Sequence, residues 1–480
     1  MKKILLTLAV IMLSLSASAT NLKKSVTWDN IRRHPAPLPV IGTLEPVRSD
    51  LSRPSWWSVG SETLDRDYAK FDNYIQYMGE TGVGYARLQS GWAKSEPKKG
   101  KYNFAWIDHQ VDGLLEQGIH PWICLCYGNP IYTDNGKDLN AKLFGDGPVM
   151  DAWLKYVREV VKRYKGKVTM YEVWNESDGA KGPDGKIGTN WNEYALLFVR
   201  TAEVIREEDP EVKIAAFGAF SISKDYFEKG LAKIKELGGT DLVDYVTYHA
   251  YWANPDTICE SVQKLVDDCR KFNPNTRVLQ GESGCPAQLE YRHALPNKEW
   301  TEYSQVKWDL RHTLLNFSMG IPSSVFTMVD LDYGWMQQSF GLIRTNGVGE
   351  PVYKRPKFYG IQHLTSVVTG DLKPADIKLS KISTGNPITS FGIERNGRTI
   401  GYFLWFSGNE PGSSLNRELI DFNAYGADIA DPVYVDMVSG YVHDISRNCQ
   451  KLPDGGVRYS GLPMWDAPVL IIDRNEINFK

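Results

Sequence analysis

The chain alternates strand-like and helix-like segments eight times between about residue 50 and residue 368. The strand-like segments are nearly continuous in apolar and aromatic residues, which is typical of strands that are covered on both faces. The helix-like segments carry apolar residues three and four positions apart, and several end in glycine. Eight such pairs predict an α/β fold, a (β/α)8 TIM barrel over residues 51–369. An open doubly wound sheet is the alternative, but that fold usually has fewer units and a Gly-rich phosphate loop, which does not follow the first strand.

The helical pattern ends at about residue 370, and the rest of the chain has the character of strands. The segment 388–408 predicts a hairpin that turns at Asn396 and Gly397. Residues 370–480 are therefore predicted to form a C-terminal β-sandwich domain. Residues 20–50, an N-terminal extension, have no helical pattern and either lend a strand to the sandwich or wrap the barrel.

The first 19 residues have the features of a signal peptide. Lys2 and Lys3 precede an apolar stretch over residues 4–15, and the small residues 17–19 form a cleavage site. The apolar stretch is too short for a comfortable transmembrane span, and no Cys follows it to carry a lipid anchor. We therefore expect a periplasmic or secreted protein that does not insert into a membrane.

The overall composition narrows the classes of partner and cofactor. A net charge of −3 gives no reason to expect binding to nucleic acid. The 15 Trp and 25 Tyr favour a carbohydrate ligand, since flat aromatic rings stack on the apolar faces of sugars, although most of them are expected in the core. The six Cys are expected to be mostly free thiols, and no cluster of ligands indicates a metal or another cofactor. Nothing in the sequence indicates an oligomeric state.

Two strand-like segments end in glutamate, at Glu176 in YEVWNES and at Glu282 in VLQGESG. They are the fourth and seventh strands of the predicted barrel, and the reacting groups of such barrels lie at the carboxyl ends of the strands. Cleavage of a sugar–sugar bond requires two carboxyl groups, one that protonates the leaving oxygen and one that attacks or stabilises the anomeric carbon. The pair therefore predicts a glycosidase, although a single glutamate is more often a loop residue on the surface. Glu172, deeper in the fourth strand, is expected to be an interior acid paired with a base.

The Asn-Glu pair at Glu176, together with the Gly-Glu-Ser segment at Glu282, resembles the pattern of glycoside hydrolase clan A, whose members are retaining glycosidases built on this barrel. Three segments are most similar to family 39, which includes β-xylosidases and α-iduronidases: ARLQSGW, GKYNFAWIDHQVDGLLEQGIHPWICL and YEVWNE. The resemblance implies that Glu176 is the acid/base, that Glu282 is the nucleophile and that Asn175 contacts the sugar 2-hydroxyl. Two segments differ from the family 39 pattern: Gly-Glu-Ser-Gly around Glu282, and Ser177 and Asp178, where Pro-Asn is common.

Seven further residues lie where the strands open into loops and are candidate sugar-binding residues: Arg87, His249, Tyr251, Trp335, Trp92, Trp252 and Asn129. Arg87 would hold the carboxylate of the nucleophile ionised and oriented. The resemblance implies that Tyr251 donates a hydrogen bond to Glu282, that His249 touches the sugar and that Trp335 forms a platform for it. The alternatives are a surface arginine, a buried pair of His249 and Tyr251 in the core, and a tryptophan packed in a loop.

These residues predict a secreted retaining glycosidase that cleaves a β-glycosidic bond in a plant or host glycan by double displacement. Glu282 must be ionised to attack, and Glu176 must be protonated, a state that the neighbouring charge of Glu282 favours. The carboxyl groups should lie about 5–5.5 Å apart, against about 6.5–9.5 Å in an inverting enzyme. Two alternatives share the barrel: a catalytically inactive protein that binds an oligo- or polysaccharide, and a transglycosylase that uses the same covalent intermediate.

Overall fold

A computed structural model of the chain describes residues 26–49, 55–133 and 142–480. The signal peptide that the sequence predicts over residues 1–19 lies outside the described residues. Within these ranges the chain forms a closed parallel barrel, to which antiparallel sheets are added after the last barrel helix.

Eight parallel strands close into a barrel, so the (β/α)8 prediction is confirmed. Each strand pairs with the next one in the chain, and the eighth closes the barrel by pairing with the first through Ser323 and Trp57. Almost every strand residue is buried, because side chains fill the interior and helices cover the outside. The strands, numbered first to eighth, are Trp57–Gly60, Tyr85–Gln89, His120–Leu125, Met170–Val173, Lys213–Ala219, Tyr245–Tyr248, Arg277–Ser283 and Ser323–Val325.

The helices bury apolar side chains against the barrel. In Pro148–Tyr164 the buried residues include Trp153, Val157 and Val160, whose spacing places them on one face of the helix. Within the three described ranges, no helix is long and apolar enough to cross a membrane. The α-helices are Trp28–Arg33, Ile75–Met78, Trp92–Ser95, Ala105–Glu116, Pro148–Tyr164, Trp191–Glu208, Lys224–Glu236, Cys259–Phe272, Glu302–Ser318 and Pro356–Val367; 3-10 helices lie at Phe71–Asn73, Gly79–Thr81, Ser177–Gly179, Thr240–Leu242, Pro255–Ile258 and Arg474–Glu476.

Two antiparallel sheets follow the barrel and form the predicted β-sandwich. The predicted hairpin turns at Asn396 and Gly397, both with positive φ, between paired Arg395 and Arg398. The N-terminal extension lends an edge strand to the larger sheet, where Thr43 pairs with Tyr441. The seven-stranded sheet contains Val40–Thr43, Lys373–Ala375, Ile388–Arg395, Arg398–Phe406, Pro432–Asp436, Tyr441–Asp444 and Val469–Asp473, the four-stranded sheet contains Lys378–Ser380, Glu418–Tyr425, Cys449–Lys451 and Val457–Met464, and small hairpins pair Leu331–Asp332 with Gln337–Gln338 and Ile343–Thr345 with Pro351–Lys354.

All six cysteines lie in the described part of the chain and are free thiols, as the sequence predicts. Cys124 and Cys126 lie in and just after the third barrel strand, where both are fully buried. Burial raises the pKa of the Cys124 thiol well above its ordinary value. These cysteines therefore act as small apolar residues of the core.

A buried ionic cluster joins the barrel to the sandwich beside the sixth barrel strand. Asp256 follows that strand and accepts hydrogen bonds from Nε of Arg311, at 2.8 Å, and from the indole N–H of Trp405, at 2.8 Å. The hydroxyl of Thr389 also donates to this carboxylate, at 2.9 Å. Because Trp405 and Thr389 belong to the sandwich, the C-terminal domain holds the loop that follows the sixth strand.

We expect Arg311→Ala to lower the free energy of unfolding by about 3–5 kcal/mol, because it leaves the buried carboxylate of Asp256 without its cation. Calorimetric measurement of Tm checks this effect. Arg270→Ala is the matched control, since it removes an exposed arginine that lies 3.9 Å from Asp267. The control should change the free energy of unfolding by less than about 1 kcal/mol. Equal effects of the two substitutions would contradict a stabilising role for the cluster.

Candidate active site

The two predicted catalytic glutamates lie at the carboxyl ends of the fourth and seventh barrel strands and face one cavity. One carboxylate oxygen of Glu176, one of Glu282 and a ring nitrogen of His249 lie within 4.8 Å of one another. Glu176 reaches this position with a left-handed backbone, φ 52°, and its N–H donates to the carbonyl of Gly218 at 2.7 Å. This close approach of two carboxylate oxygens agrees with the retaining arrangement, in which the carboxyl groups lie about 5–5.5 Å apart.

The cavity lies where the barrel strands end and has a volume of about 690 Å³. This volume falls in the range of sites that bind small molecules. Both glutamates line it, as does Asn175. Its other lining residues include Glu62, Arg66, Gln89, Tyr127, Phe220 and Trp252.

The guanidinium of Arg87 lies fully buried beneath the cavity and contacts four polar side chains. Its Nη1 atom donates to Glu282 at 2.9 Å and lies 3.4 Å from Glu62. Its Nη2 atom donates to Glu172 at 2.5 Å and to the amide oxygen of Asn175 at 2.8 Å. Arg87 therefore orients the predicted nucleophile, and Glu172 is an interior acid paired with this base, as the sequence predicts.

Glu282 is buried but remains ionised. Burial alone would raise the pKa of this carboxyl group. The charges of His249 and Arg87 and a hydrogen bond from the hydroxyl of Tyr251 outweigh burial, so the pKa lies below its ordinary value. The hydroxyl of Tyr251 donates to Glu282 at 2.6 Å. For His249 the balance runs the other way: burial lowers the pKa of the imidazole, and the charge of Glu282 with the contact to Glu176 raises it above its ordinary value.

Glu176 is surrounded differently from Glu282. Its side chain is partly exposed to the cavity, and among the described residues its carboxylate has one hydrogen-bonding neighbour, Nδ1 of His249 at 3.4 Å. Glu282 instead accepts hydrogen bonds from Arg87 and Tyr251. A loosely held carboxyl group at an open cavity can exchange a proton with a bound sugar, whereas one that is fixed by a guanidinium and a phenol is oriented for attack.

Residues 68–271 match the family model of glycosyl hydrolases family 39. The matched segment runs from the loop after the first barrel strand to the helix after the sixth, and it includes Arg87 and Glu176. The predicted resemblance to glycoside hydrolase clan A, and within it to family 39, is confirmed. The barrel is similar to that of the family 39 glycoside hydrolases.

The fold of this family 39-like protein is similar to those of several solved structures. A family 39 glycoside hydrolase from the gut symbiont Bacteroides cellulosilyticus WH2 is 16% identical, with a TM-score of 0.63 over 88% of this chain and 82% of that chain. A monomeric β-xylosidase from Caulobacter crescentus CB15 is 15% identical, with a TM-score of 0.55 over 89% and 97%. The family 30 subfamily 8 xylanase of Clostridium acetobutylicum is 12% identical, with a TM-score of 0.57 over 91% and 98%. At such identities the likeness concerns the fold alone.

Two curated enzymes match parts of the chain. The intracellular exo-α-(1→5)-L-arabinofuranosidase of Streptomyces lividans is 26% identical over 141 residues, which are 29% of this chain and 20% of that enzyme. A β-galactosidase of Haloferax lucentense is 29% identical over 62 residues, which are 13% of this chain and 9% of that enzyme. The chain thus spans a fifth or less of the length of these curated relatives.

The family 39-like barrel brings most of the predicted sugar-binding residues to the cavity. Asn175, Tyr251 and Trp252 line it, while His249 and Arg87 lie directly beneath and contact the two glutamates. The bond from Tyr251 to Glu282 is the one that the resemblance implies, whereas His249 is fully buried beneath the cavity and lies against the two glutamates rather than at the cavity surface. The roles of these residues in sugar binding stay predictions.

Three other predicted residues do not line this cavity. Trp92 is fully buried: its indole N–H donates to Glu96 at 2.7 Å, and its ring packs against those of Tyr132 and Tyr156. The amide of Asn129 donates to the carbonyl of Glu96 at 2.9 Å, and the residue borders a neighbouring depression. Trp335 lies on a loop at the rim, 60% exposed, with its ring centroid 6.0 Å from that of His293.

Sequence reasoning missed a third acid of the cavity, Glu62. It lies two residues after the first barrel strand, is buried, and accepts a hydrogen bond from the hydroxyl of Thr327 at 3.3 Å. Burial and the charge of Glu282 raise its pKa to about 7, against the lowering effect of Arg87. The signal was present in the sequence, since Glu62 follows a strand-like segment much as Glu176 does.

The raised pKa of Glu62 predicts a pH-dependent loss of stability. The folded protein holds the Glu62 proton up to about pH 7, whereas the unfolded chain releases it near the ordinary value of 4.5. The contribution of the Glu62 proton to the stability of the fold is therefore complete below the ordinary pKa, and it is lost as the pH rises through the pKa of the folded protein. We expect the free energy of unfolding of Glu62→Gln to increase by roughly 2–3 kcal/mol relative to that of the wild type as the pH rises across this window.

Scanning calorimetry at about pH 5 and about pH 8 measures this gain as a change in the Tm difference between variant and wild type. Glu116→Gln, at an exposed position, is the control and should show a Tm difference that does not depend on pH. If the Tm difference between Glu62→Gln and the wild type stays constant or shrinks with rising pH, Glu62 does not keep its proton up to about pH 7 in the folded protein.

Proposed function

We propose that the protein is a retaining glycosidase that cleaves a β-glycosidic bond by double displacement, with Glu282 as the nucleophile and Glu176 as the acid/base. The observation that supports this most directly is that an oxygen of each carboxylate lies within 4.8 Å of the other at one cavity. The contrast in their surroundings also supports it, because only Glu282 is fixed by Arg87 and Tyr251.

In the first step, a carboxylate oxygen of Glu282 attacks the anomeric carbon while the bond from that carbon to the glycosidic oxygen breaks. Glu176 gives its proton to the departing oxygen, which leaves as a hydroxyl. The product is a glycosyl ester of Glu282. Its formation removes the negative charge from Glu282 and leaves Glu176 ionised, which prepares Glu176 to act as a base.

In the second step, water enters where the leaving group departed, and Glu176 takes one of its protons. The water oxygen bonds to the anomeric carbon, and the ester bond to Glu282 breaks. The anomeric configuration is inverted twice and therefore retained. Arg87 and Tyr251 then stabilise the carboxylate of Glu282 that the step releases.

We further propose that the substrate is a β-linked neutral sugar with a free 2-hydroxyl, in a plant or host glycan. The amide of Asn175 supports this, because its oxygen accepts from Arg87 and its nitrogen donates one hydrogen to Tyr127, at 2.9 Å, which leaves the second hydrogen for a sugar hydroxyl. Two structures of similar fold are named as a β-xylosidase and a xylanase, so a panel of aryl glycosides begins with β-xylosides. Aryl β-glucosides, β-galactosides and α-L-arabinofuranosides complete the panel.

Export to the periplasm or the medium is proposed from the predicted signal peptide over residues 1–19. We expect the native chain, expressed in a Gram-negative host, to be recovered outside the cytoplasm and shortened by its leader. Fractionation followed by N-terminal sequencing measures both properties. A full-length protein that is confined to the cytoplasm would contradict the proposal.

Substitution of each glutamate tests the assigned chemistry. We expect Glu282→Gln to abolish hydrolysis of the best aryl glycoside while sugar binding, measured by calorimetry, is retained. We expect Glu176→Gln to lower kcat/KM by about 10²–10⁴-fold on a glycoside with a poor leaving group, but much less on a dinitrophenyl glycoside, which needs no proton to depart. Azide should rescue Glu176→Gln and give a β-glycosyl azide.

Glu116→Gln serves as the control in these assays, because the side chain is exposed on a helix outside the cavity. Proton NMR of the first product identifies its anomer, which should be β. An α anomer would exclude the retaining mechanism, and a wild type without turnover on any glycan would favour a barrel that only binds sugar.

A further inference from the structure

The cavity has two chemically different sides. On one side polar groups are bonded to one another: Nη2 of Arg66 donates to Gln89 at 2.9 Å, and the amide of Asn175 donates to Tyr127 at 2.9 Å. On the other side, beyond the fifth and sixth barrel strands, Phe220 and Trp252 line the cavity and are 40% and 38% exposed.

The exposed aromatic side is also the side of the proposed acid. The N–H of Glu176 donates to Gly218 of the fifth strand at 2.7 Å, and Phe220 directly follows that strand. The carbonyl of Phe220 accepts from Ala250, at 3.1 Å, beside His249. Phe220 therefore lies between the turn that carries Glu176 and the end of the sixth strand.

Asp178 fixes the loop of Phe220 to the turn of Glu176. Its buried carboxylate accepts hydrogen bonds from the N–H groups of Phe220, at 2.8 Å, and Ser221, at 3.1 Å. The hydroxyl of Ser221 donates to it as well, at 2.6 Å. The acid and the aromatic ring thus belong to one rigid unit, built by a residue at which the chain differs from the family pattern.

Trp252 is fixed from the side of the nucleophile. It follows Tyr251, whose hydroxyl donates to Glu282, and its carbonyl accepts from the indole N–H of Trp308 at 2.9 Å. Neither contact involves the indole ring of Trp252, and the residue lines the cavity. The two aromatic residues are therefore held in place by their backbones while their rings stay available.

We propose that Phe220 and Trp252 form the subsite for the sugar ring that leaves in the first step. In the second step the same subsite binds an acceptor sugar, whose hydroxyl competes with water for the covalent intermediate. This inference rests on the proposed function, because Glu176 must lie beside the oxygen that it protonates and the leaving ring must lie on that same side. The apolar C–H faces of a pyranose ring match exposed aromatic rings, and the polar side of the cavity is left for the sugar that is transferred to Glu282.

The fate of the covalent intermediate tests this subsite. The donor is the 2,4-dinitrophenyl glycoside of the sugar that the aryl panel selects, and the acceptor is the methyl glycoside of the same sugar. We expect Phe220→Ala and Trp252→Ala each to lower the ratio of transfer to hydrolysis about fivefold or more. Hydrolysis of the donor alone, measured in parallel, reports any general loss of activity in the two variants, and the ratio corrects for that loss.

If water captures all of the covalent intermediate, no transfer product forms and a second measurement is needed to test the subsite. The kcat/KM for the corresponding disaccharide, divided by that for the dinitrophenyl glycoside, should fall by a similar factor in both variants. Phe220→Tyr keeps an aromatic ring and should restore most of the ratio. Asp178→Ala, which frees the loop, should lower the ratio as Phe220→Ala does and identifies Asp178 as a positioning residue.

Tyr291→Ala is the matched control, since Tyr291 is an aromatic residue that is 74% exposed and does not line the cavity. It should leave both ratios unchanged. Unchanged ratios in Phe220→Ala and Trp252→Ala, with a wild type that turns over the donor, would overturn the subsite and leave the proposed function intact. A wild type without turnover would instead refute the proposed function itself.

Discussion

The site depends on one buried cation. Arg87 is fully buried and contacts three glutamates, Glu62, Glu172 and Glu282, that come from different parts of the barrel. A buried carboxylate without a partner costs several kcal/mol, so three such acids beside one guanidinium are tolerated only because they share its charge and because Glu62 keeps its proton up to about pH 7. The same guanidinium therefore stabilises the fold and keeps Glu282 ionised and oriented.

The C-terminal sandwich contributes to the site through the loop after the sixth barrel strand. Asp256 in this loop binds Arg311 of a barrel helix and Trp405 of the sandwich. A few residues earlier, Tyr251 and Trp252 reach the cavity. The sandwich thus does more than cover the barrel, since its contacts fix the segment that supplies a hydrogen bond to Glu282 and an aromatic ring at the cavity.

Much of the fold could be predicted because it is encoded in local patterns. Apolar runs bounded by turns indicated the barrel strands, and segments with one apolar stripe indicated the helices between them. The residues Asn396 and Gly397 indicated the hairpin turn. Glu176 and Glu282 could be predicted for the same reason, since acids at the ends of parallel strands meet at one edge of the barrel. Trp92 and Asn129 also follow strands, yet the paths of their loops turn both side chains inward, toward Glu96.

The sequence by itself determined the order of the strands, the two glutamates at their ends and the arginine two strands away from the first of them. Only the tertiary structure decided which acids share that arginine, that Glu62 is one of them, and that Asp178 binds the loop of Phe220. The physical reason is the distance along the chain over which each kind of interaction acts. Strand and helix patterns arise from neighbours within a few residues, whereas charge state and side-chain contacts depend on burial and on partners that closure of the barrel brings together from distant parts of the chain.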